Sequence, residues 1–168
     1  QSCKRILQGL VATADTHSHG QKQAVLVTEY MKRILEHWQV LRPQARYHYT
    51  QKQDQAAPQL LVDSTLEQAI GNLLNNAADA SELPLEINLL WSANEITLSI
   101  RDHGAGIAME IAEHLGKPFF STKGKGLGLG LFLSHASIAR FGGTITLHNH
   151  PGGGTIAQLS LPTGNPTP

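Results

Sequence analysis

Three short polar side chains occur at helical spacing near the middle of the sequence. Asn72, Asn76 and Asp79 stand at positions i, i+4 and i+7, so a helix would align them along one side of its surface. Amide and carboxylate oxygens are ligands that Mg²⁺ accepts, and protein-bound Mg²⁺ commonly bridges phosphate groups. An ordinary solvated helix face has the same pattern, so these residues alone leave both interpretations open.

A second candidate group begins at Asp102, which ends a segment of alternating apolar residues and precedes Gly104 and Gly106. A carboxylate at the end of a strand can accept a hydrogen bond from an exocyclic amine. The two glycines carry no Cβ, so the backbone can turn closely around a planar ligand. Taken alone, the Asp-x-Gly-x-Gly pattern is also typical of an ordinary turn.

A glycine-rich, basic segment follows this group. Glycines occupy every second position from Gly124 to Gly130, and the three lysines of residues 117–125 have no acidic residue between them. Backbone amides of such a loop, with the positive end of the helix after it, can form a cradle for a polyphosphate. The alternative is a flexible linker, although Phe119-Phe120 and an apolar helix bracket the segment. The glycines match neither the P-loop nor the Rossmann pattern.

Composition excludes several other classes of protein. The 168 residues include 13 Lys or Arg and 13 Asp or Glu, and this neutral balance argues against a dedicated nucleic-acid or anionic-membrane binder. The hydrophobic fraction of 40% is enough for a core, and no apolar run is long enough to cross a bilayer. Twelve of the 16 glycines fall between Gly104 and Gly154, where two of the three candidate groups lie.

The first half of the chain is predicted to be largely helical. Residues 1–16 carry an apolar stripe that ends in a polar break, and Gln1 lies inside what resembles the middle of a helix, so we expect an excised piece of a longer protein. Ser64 and Glu67 have the spacing of a capping box at the start of a helix. The predicted elements are a helix over 23–37, a strand over 45–51, a loop over 51–58 and a helix over 64–81.

The second half is predicted to form most of a sheet. Alternation indicates strands over 85–89, 96–100, 144–147 and 155–161, a hairpin turn at 92–95, helices over 108–115 and 130–141, and a tail over 162–168. The fold class that follows is α+β, a two-layer sandwich in which helices cover one face of a mostly antiparallel sheet.

Four short segments occur in order along the chain: NLLNNA at 72–77, DHGAG at 102–106, PFF at 118–120 and GLGLGL at 126–131. They resemble the N, G1, F and G2 boxes of the ATP-binding catalytic domain of bacterial sensor histidine kinases, in the gyrase–Hsp90–kinase–MutL (GHKL) superfamily. The glycine turns at 142–144 and 152–155 also match, and the resemblance covers about residues 21–162. It implies the Bergerat α/β sandwich, a mixed and mostly antiparallel sheet covered by helices, with ATP and Mg²⁺ as ligands.

The resemblance also implies roles for the matching positions. Asn76 would hold Mg²⁺, Asn72 would line the phosphates, and Asp102 would accept a hydrogen bond from the adenine amino group. Residues 117–130 would form a mobile ATP lid, with Lys123 and the glycine amides on the β- and γ-phosphates. The implied catalytic residues are Asn72, Asn76 and Lys123. The implied ATP contacts are Asn72, Asn76, Asp79, Asp102, Gly104, Gly106, Ile107, Phe120, Ser121, Thr122, Lys123, Gly126, Leu127, Gly128, Leu129, Gly130 and Thr155.

Two positions depart from the family's pattern. Many of these kinases have a basic residue three positions after the second N-box asparagine, where this sequence has Asp79. Charge neutralisation of ATP would then depend more on Mg²⁺ and the lid lysines. Hydrolytic members of the superfamily have a glutamate base in place of Asn72. Without a glutamate base, a water molecule is poorly activated. This favours phosphoryl transfer to a protein side chain over ATP hydrolysis.

The phosphoacceptor of such a kinase is a histidine followed by an acidic residue, and none of the nine histidines here has that neighbour. We therefore expect the acceptor upstream of Gln1, with residues 1–20 as the end of a dimerisation helix, 21–162 as the catalytic domain and 163–168 as a tail. The implied partners are the kinase's own dimerisation domain and a response regulator receiver domain, without nucleic acid. The full-length protein would be a homodimeric inner-membrane sensor, with this domain in the cytoplasm.

The only cysteine, Cys3, excludes an intrachain disulfide and a multi-cysteine zinc site. Residues 3–7 (CKRIL) resemble a Cys-Arg-x-Ile-Leu segment of RegB/PrrB-type redox-responsive kinases, which implies redox control through this thiol. A cysteine packed as a small apolar residue is the alternative.

The leading hypothesis is a histidine kinase catalytic domain that passes the γ-phosphate of ATP to a histidine, for relay to a response regulator. An anti-sigma-type serine kinase is one alternative, although the leucine-rich G2 box and the helix remnant at the start weigh against it. A nucleotide-binding module without turnover is another, although the full set of boxes weighs against it.

Overall fold

A computed structural model describes residues 22–52, 55–108 and 129–163 of the chain. The strands of these residues are β1 (Gln23–Leu26), β2 (Tyr47–Gln51), β3 (Gln59–Val62), β4 (Leu85–Trp91), β5 (Glu95–Arg101), β6 (Thr144–Asn149) and β7 (Thr155–Pro162). Their helices are α1 (Val27–Leu41), α2 (Ser64–Ala80) and α3 (Leu129–Arg140). None of the described helices is both long and apolar enough to span a membrane.

Five strands form one mixed sheet in the order β2-β4-β5-β7-β6. β2 runs parallel to β4, and the other three neighbouring pairs are antiparallel. Because β7 lies between β5 and β6, three chain positions meet at one end of the sheet. They are Asp102 just after β5, Thr155 at the start of β7 and Asn149 at the end of β6.

The hydrophobic core lies between this sheet and the helices. Every second residue of β5, from Ile96 to Ile100, is buried, and so is the apolar stripe of α2 that includes Leu66, Leu73 and Leu74. Burying such a side chain contributes about 1.5–3 kcal/mol relative to leaving it in water. The predicted α+β sandwich is confirmed, and the core face of α2 leaves its polar face for the candidate site.

The start of α2 corrects one detail of the prediction. Asp63, and not Ser64, is the N-cap, since its Oδ1 accepts hydrogen bonds from the backbone N–H of Thr65 (2.9 Å) and of Leu66 (3.2 Å). The predicted capping box is therefore wrong by one residue. An aspartate that directly precedes the helix supplies a carboxylate that can reach two orphan amides at once.

The region before α2 contains two strands that the sequence did not predict. Residues 23–26 form β1, which pairs antiparallel with β3 between Gln23–Leu26 and Gln59–Val62. The helix predicted from residue 23 to 37 therefore begins at Val27 and extends to Leu41. Strands of four residues are too short for a period of two to stand out, and the apolar spacing of the predicted helix already included Leu26 of β1.

The end of β7 also lies beyond its predicted position. The strand extends to Pro162, and Thr163 donates a backbone hydrogen bond to the carbonyl of Asn94 (3.0 Å) and a hydroxyl hydrogen bond to that of Ala93. The predicted tail is thus wrong at its first two positions, which are bound to the β4–β5 turn. Residues 164–168, the predicted stub at 1–20 and most of the predicted helix at 108–115 lie outside the described residues.

Candidate functional site

Asp102 is a buried carboxylate with one oxygen already fixed by the backbone. The residue is 5% exposed, and Oδ1 accepts hydrogen bonds from the amides of Gly104 (2.8 Å) and Thr155 (3.1 Å). The amide of Asp102 in turn donates to the carbonyl of Thr155 (2.9 Å). Within the described parts of the chain, no donor is bonded to Oδ2. The arrangement presents one fixed acceptor oxygen, as the recognition of an exocyclic amine requires.

The residues on either side of Asp102 point to the opposite face of the sheet. Arg101 Nη1 lies 3.1 Å and His103 Nε2 lies 3.2 Å from the same carboxylate oxygen of Glu86. Alternation along an extended chain separates these two side chains from Asp102. Their interaction with Glu86 therefore leaves the Asp102 carboxylate to bond with backbone amides and with a ligand.

Two glycines allow the loop after Asp102 to approach its neighbours closely. A Cβ at Gly154 would lie 1.9 Å from the carbonyl oxygen of Asp102, and Gly154 has a φ of +84°. A Cβ at Gly104 would lie 2.5 Å from the carbonyl oxygen of Ala80, the last residue of α2. The first contact joins the loop to the β6–β7 turn, and the second joins it to the helix that carries the asparagines.

Asn149 contacts the far end of the same loop. Its side-chain Oδ1 accepts from the amide of Ile107 (2.7 Å), and its Nδ2 donates to the carbonyl of Ile107 (2.8 Å). Sequence analysis missed this residue, because a single Asn in the turn-forming HNHPGGGT segment carries no signal of its partner. The loop at 102–108 is thus held at both ends.

The asparagine face of α2 is held through the first two turns of α3. Asn72 Nδ2 donates to the hydroxyl of Ser134 (3.2 Å) and lies 3.4 Å from the carbonyl oxygen of Gly130. Ser134 is fully buried and donates its own hydroxyl hydrogen to the Gly130 carbonyl (2.8 Å). Asn72 is therefore placed by α3, and among the described residues no donor bonds its side-chain oxygen, which can accept from a ligand.

Asn76 lies one turn further along α2 and is exposed. In the described part of the chain, its side chain has no hydrogen-bond partner. An exposed amide oxygen at this position is a suitable ligand for a hydrated divalent cation, which keeps several of its waters.

Asp79 is paired with an arginine that sequence analysis did not select. Arg42 Nη2 lies 2.6 Å from Asp79 Oδ1, and Arg42 Nη1 donates to Asn75 Oδ1 at 3.3 Å. Trp38 Nε1 donates to the same Asn75 oxygen at 2.9 Å. The C-terminal end of α1 thus carries a positive charge to Asp79, the position at which the resemblance implies a basic residue.

In α3, burial lowers the pKa of His135, because the interior disfavours the charged imidazolium. We therefore expect this imidazole to be neutral at pH 7.

The predicted site residues fall into two groups that the structure describes. Asp102, Gly104, Gly106, Ile107 and Thr155 lie together around one loop. Asn72, Asn76, Asp79 and Gly130 lie along α2 and the start of α3, and the Gly104–Ala80 contact joins the two groups. Leu129 begins α3, and its side chain is not described. The remaining predicted contacts lie outside the described residues: Phe120, Ser121, Thr122, Lys123, Gly126, Leu127 and Gly128.

Comparison with protein families gives a match over residues 62–165 to the model "Histidine kinase-, DNA gyrase B-, and HSP90-like ATPase". The chain is 31% identical over 165 residues to the signal transduction histidine-protein kinase AtoS of Escherichia coli, covering 96% of the chain and 27% of AtoS. It is 37% identical over 111 residues to the C4-dicarboxylate transport sensor protein DctB of Pseudomonas aeruginosa, covering 62% of the chain and 18% of DctB. The chain thus spans about a quarter or less of these relatives.

Solved structures give the same result for the fold. The mycobacterial sensor histidine kinase MprB superimposes with a TM-score of 0.71 at 27% identity, covering 87% of this chain and 99% of that one. The catalytic domain of histidine kinase ThkA also superimposes with a TM-score of 0.71, at 22% identity, and supports the fold alone.

Proposed function

Because the chain belongs to the histidine kinase-, DNA gyrase B- and HSP90-like ATPase family, as an ATP-binding catalytic domain of the two-component sensor kinase type, we propose how it holds ATP. The adenine lies against the loop at 102–108, and the phosphates extend along the asparagine face of α2. The whole protein then transfers the γ-phosphate to a histidine on its dimerisation domain, for relay to a response regulator.

The observation that carries the adenine assignment is the state of the Asp102 carboxylate. Two backbone amides hold Oδ1, so the direction of Oδ2 is set before any ligand binds. Burial removes competing water from a carboxylate that can bond an exocyclic amine, and hydrogen bonds to charged groups are stronger than neutral ones. An adenine amino group fits this acceptor, whereas the carbonyl of a guanine at the same place would face an oxygen.

The phosphate end is assigned to Asn72 and Asn76, with Asp79 at its edge. The oxygen of Asn76 fits as a ligand of Mg²⁺, which would neutralise charge on the phosphate oxygens when bound. Asn72 is neutral and cannot remove a proton from water. Positioning and charge neutralisation are therefore the contributions of this face, and they suit phosphoryl transfer better than hydrolysis.

The partners and the location belong to the whole protein and are part of the proposal. They are a homodimer with its own phosphoacceptor domain, a receiver domain, and attachment to the inner membrane through other parts of the chain. Cys3 lies outside the described residues. The relatives reported above are not named as redox-responsive kinases, so redox control through Cys3 stays a prediction from residues 3–7.

Asp102→Asn is the sharpest test of the adenine assignment. The amide oxygen can still accept from Gly104 and Thr155, but the NH₂ group then faces the adenine amine, donor to donor. We expect ATP affinity to fall about 10- to 100-fold, measured by calorimetric titration with Mg²⁺. Asp63→Asn is the matched control, because it changes a buried aspartate at a helix N-cap and should leave affinity unchanged. Unchanged affinity in Asp102→Asn would mean that the adenine lies elsewhere.

Phosphotransfer is tested separately. The domain is incubated with labelled ATP, Mg²⁺ and a supplied dimerisation domain that carries the acceptor histidine. Label on that histidine supports the kinase proposal. Binding without label would contradict it and favour a nucleotide-binding module without turnover, and label on a serine would favour a serine kinase.

A further inference from the structure

We propose that Asn149 is a positioning residue for adenine selection, through the backbone of Ile107. The proposal rests on the adenine assignment to Asp102 made above. Asn149 lies 42 residues further along the chain than Ile107, and the sequence motifs do not include it.

The contact between the two residues is reciprocal. Ile107 N–H donates to Asn149 Oδ1 at 2.7 Å, and Asn149 Nδ2 donates to the Ile107 carbonyl at 2.8 Å. Only one orientation of the amide satisfies both bonds, since a flipped amide would place NH₂ against N–H and oxygen against oxygen. The side chain thus serves the loop as a strand partner would, with one donor and one acceptor.

The position of Asn149 in the sheet relates this contact to Asp102. Asn149 and Thr155 are directly opposite each other in the β6–β7 ladder. Thr155 bonds Asp102 at the start of the loop, and Asn149 bonds Ile107 near its end. One cross-strand pair therefore holds both ends of the loop, which passes from β5 across the end of β7 to β6.

Gly106 shows how closely the loop lies against this amide. It has a φ of +80°, and a Cβ there would lie 2.8 Å from Asn149 Oδ1. The backbone beside the Asp102 carboxylate is thus fixed before the nucleotide binds. Such preorganisation raises affinity and selectivity, because the loop does not have to be ordered on binding.

The contact has little to do with the stability of the core. Asn149 is exposed, and its side chain bonds a loop rather than the buried apolar residues. We therefore expect its loss to affect nucleotide binding more than the melting temperature.

Asn149→Leu removes both bonds with a side chain of the same branched shape, and Asn149→Asp keeps the acceptor while placing a second carboxylate oxygen against the Ile107 carbonyl. We expect ATP affinity to fall about 5- to 10-fold in both variants, with a smaller ratio of ATP to GTP affinity. His148→Ala is the matched control, since His148 is an exposed neighbour on the opposite face of β6, and it should change neither value.

A double-mutant cycle with Asp102→Asn distinguishes an effect of Asn149 on adenine recognition from a general effect on the folded structure. If Asn149 acts through adenine recognition, Asn149→Leu should add little to the loss already caused by Asp102→Asn. Additive losses, or a lowered melting temperature with unchanged ATP affinity, would overturn the proposal. If Asp102→Asn itself leaves ATP affinity unchanged, the adenine assignment fails first, so the two failures are distinguishable.

Discussion

The two ends of the candidate site are held in different ways. At the end proposed to bind adenine (the adenine end), backbone amides and carbonyls of Asp102, Gly104 and Thr155 make most of the bonds, and glycines allow the chains to approach. At the end proposed to bind the phosphates (the phosphate end), side chains on three helices contact one another, as in the pairs Asn72–Ser134 and Arg42–Asp79.

This difference predicts how each end responds to substitution. Backbone geometry with close approaches leaves no room for a Cβ, so a small change there displaces the chain itself. Side-chain contacts that are partly exposed to solvent can be replaced by water at modest cost. We therefore expect large effects at the adenine end and graded, smaller ones at the phosphate end.

Gly154→Ala should have the largest effect. A Cβ would lie 1.9 Å from the carbonyl oxygen of Asp102, and the residue has a φ of +84°. We expect the free energy of unfolding to fall by about 3–5 kcal/mol, through strain and the displacement of Asp102. Chemical denaturation measures the stability, and titration of any folded fraction should show weakened ATP binding.

Gly153→Ala is a closely matched control for that variant. Gly153 also has a positive φ, of +91°, but nothing lies within 4 Å of the position of its Cβ. Its free energy of unfolding should fall by only about 1–2 kcal/mol, the cost of an alanine at a positive φ, and its ATP affinity should not change. Equal losses in the two variants would show that the close approach to Asp102 contributes nothing.

Much of the adenine end could be predicted from the sequence, because its signals are local. Asp102, Gly104 and Gly106 stand within five positions. Their chemistry depends on the backbone conformation, and the glycines indicate where the backbone can turn sharply. The strands before Asp102 and after Gly154 were also predicted, but their antiparallel pairing, which sets the end of β5 beside the start of β7, was not. What the local pattern could not give is Asn149, whose partner depends on strand order.

The phosphate end could be predicted only in part. Asn72, Asn76 and Asp79 lie in α2 with the helical spacing that the sequence predicted, because local periodicity determines which face they share. Their partners Arg42 and Ser134 come from α1 and α3, and no local pattern links those helices to α2. The short strands β1 and β3 were missed for a related reason, since their evidence is their pairing with each other.

Ser134→Ala should have an intermediate effect. The hydroxyl is buried, donates to the carbonyl of Gly130 and accepts from Asn72, so its removal leaves two groups without this partner. We expect a loss of about 1–2 kcal/mol in the free energy of unfolding. Ser137→Ala, one turn further along α3, should be neutral or slightly stabilising, because alanine favours the helix. A neutral Ser134→Ala would show that the Ser134 hydroxyl does not hold Asn72.

Arg42→Ala should have the smallest effect of the three. The side chains of Arg42 and Asp79 are 34% and 38% exposed, so solvent screens their attraction. We expect a loss of about 0.5–1 kcal/mol that shrinks in 1 M salt. Lys32→Ala, which removes a more exposed pair with Glu36 at 3.9 Å, should cost less.

The cycle of Arg42→Ala, Asp79→Asn and the double variant measures the coupling between the two side chains. A guanidinium that bonds Asp79 through Nη2 and Asn75 through Nη1 predicts a positive coupling energy between Arg42 and Asp79. It also predicts incomplete rescue by Arg42→Lys, because an ammonium group cannot reach Asn75 and Asp79 in the same planar geometry. Zero coupling would mean that the ion pair between Arg42 and Asp79 contributes nothing to the contact between α1 and α2. Arg42→Ala could instead lower the free energy of unfolding as much as Gly154→Ala does. That result would contradict the contrast between the two ends, because a partly exposed side-chain pair would then constrain the site as strongly as a close backbone approach.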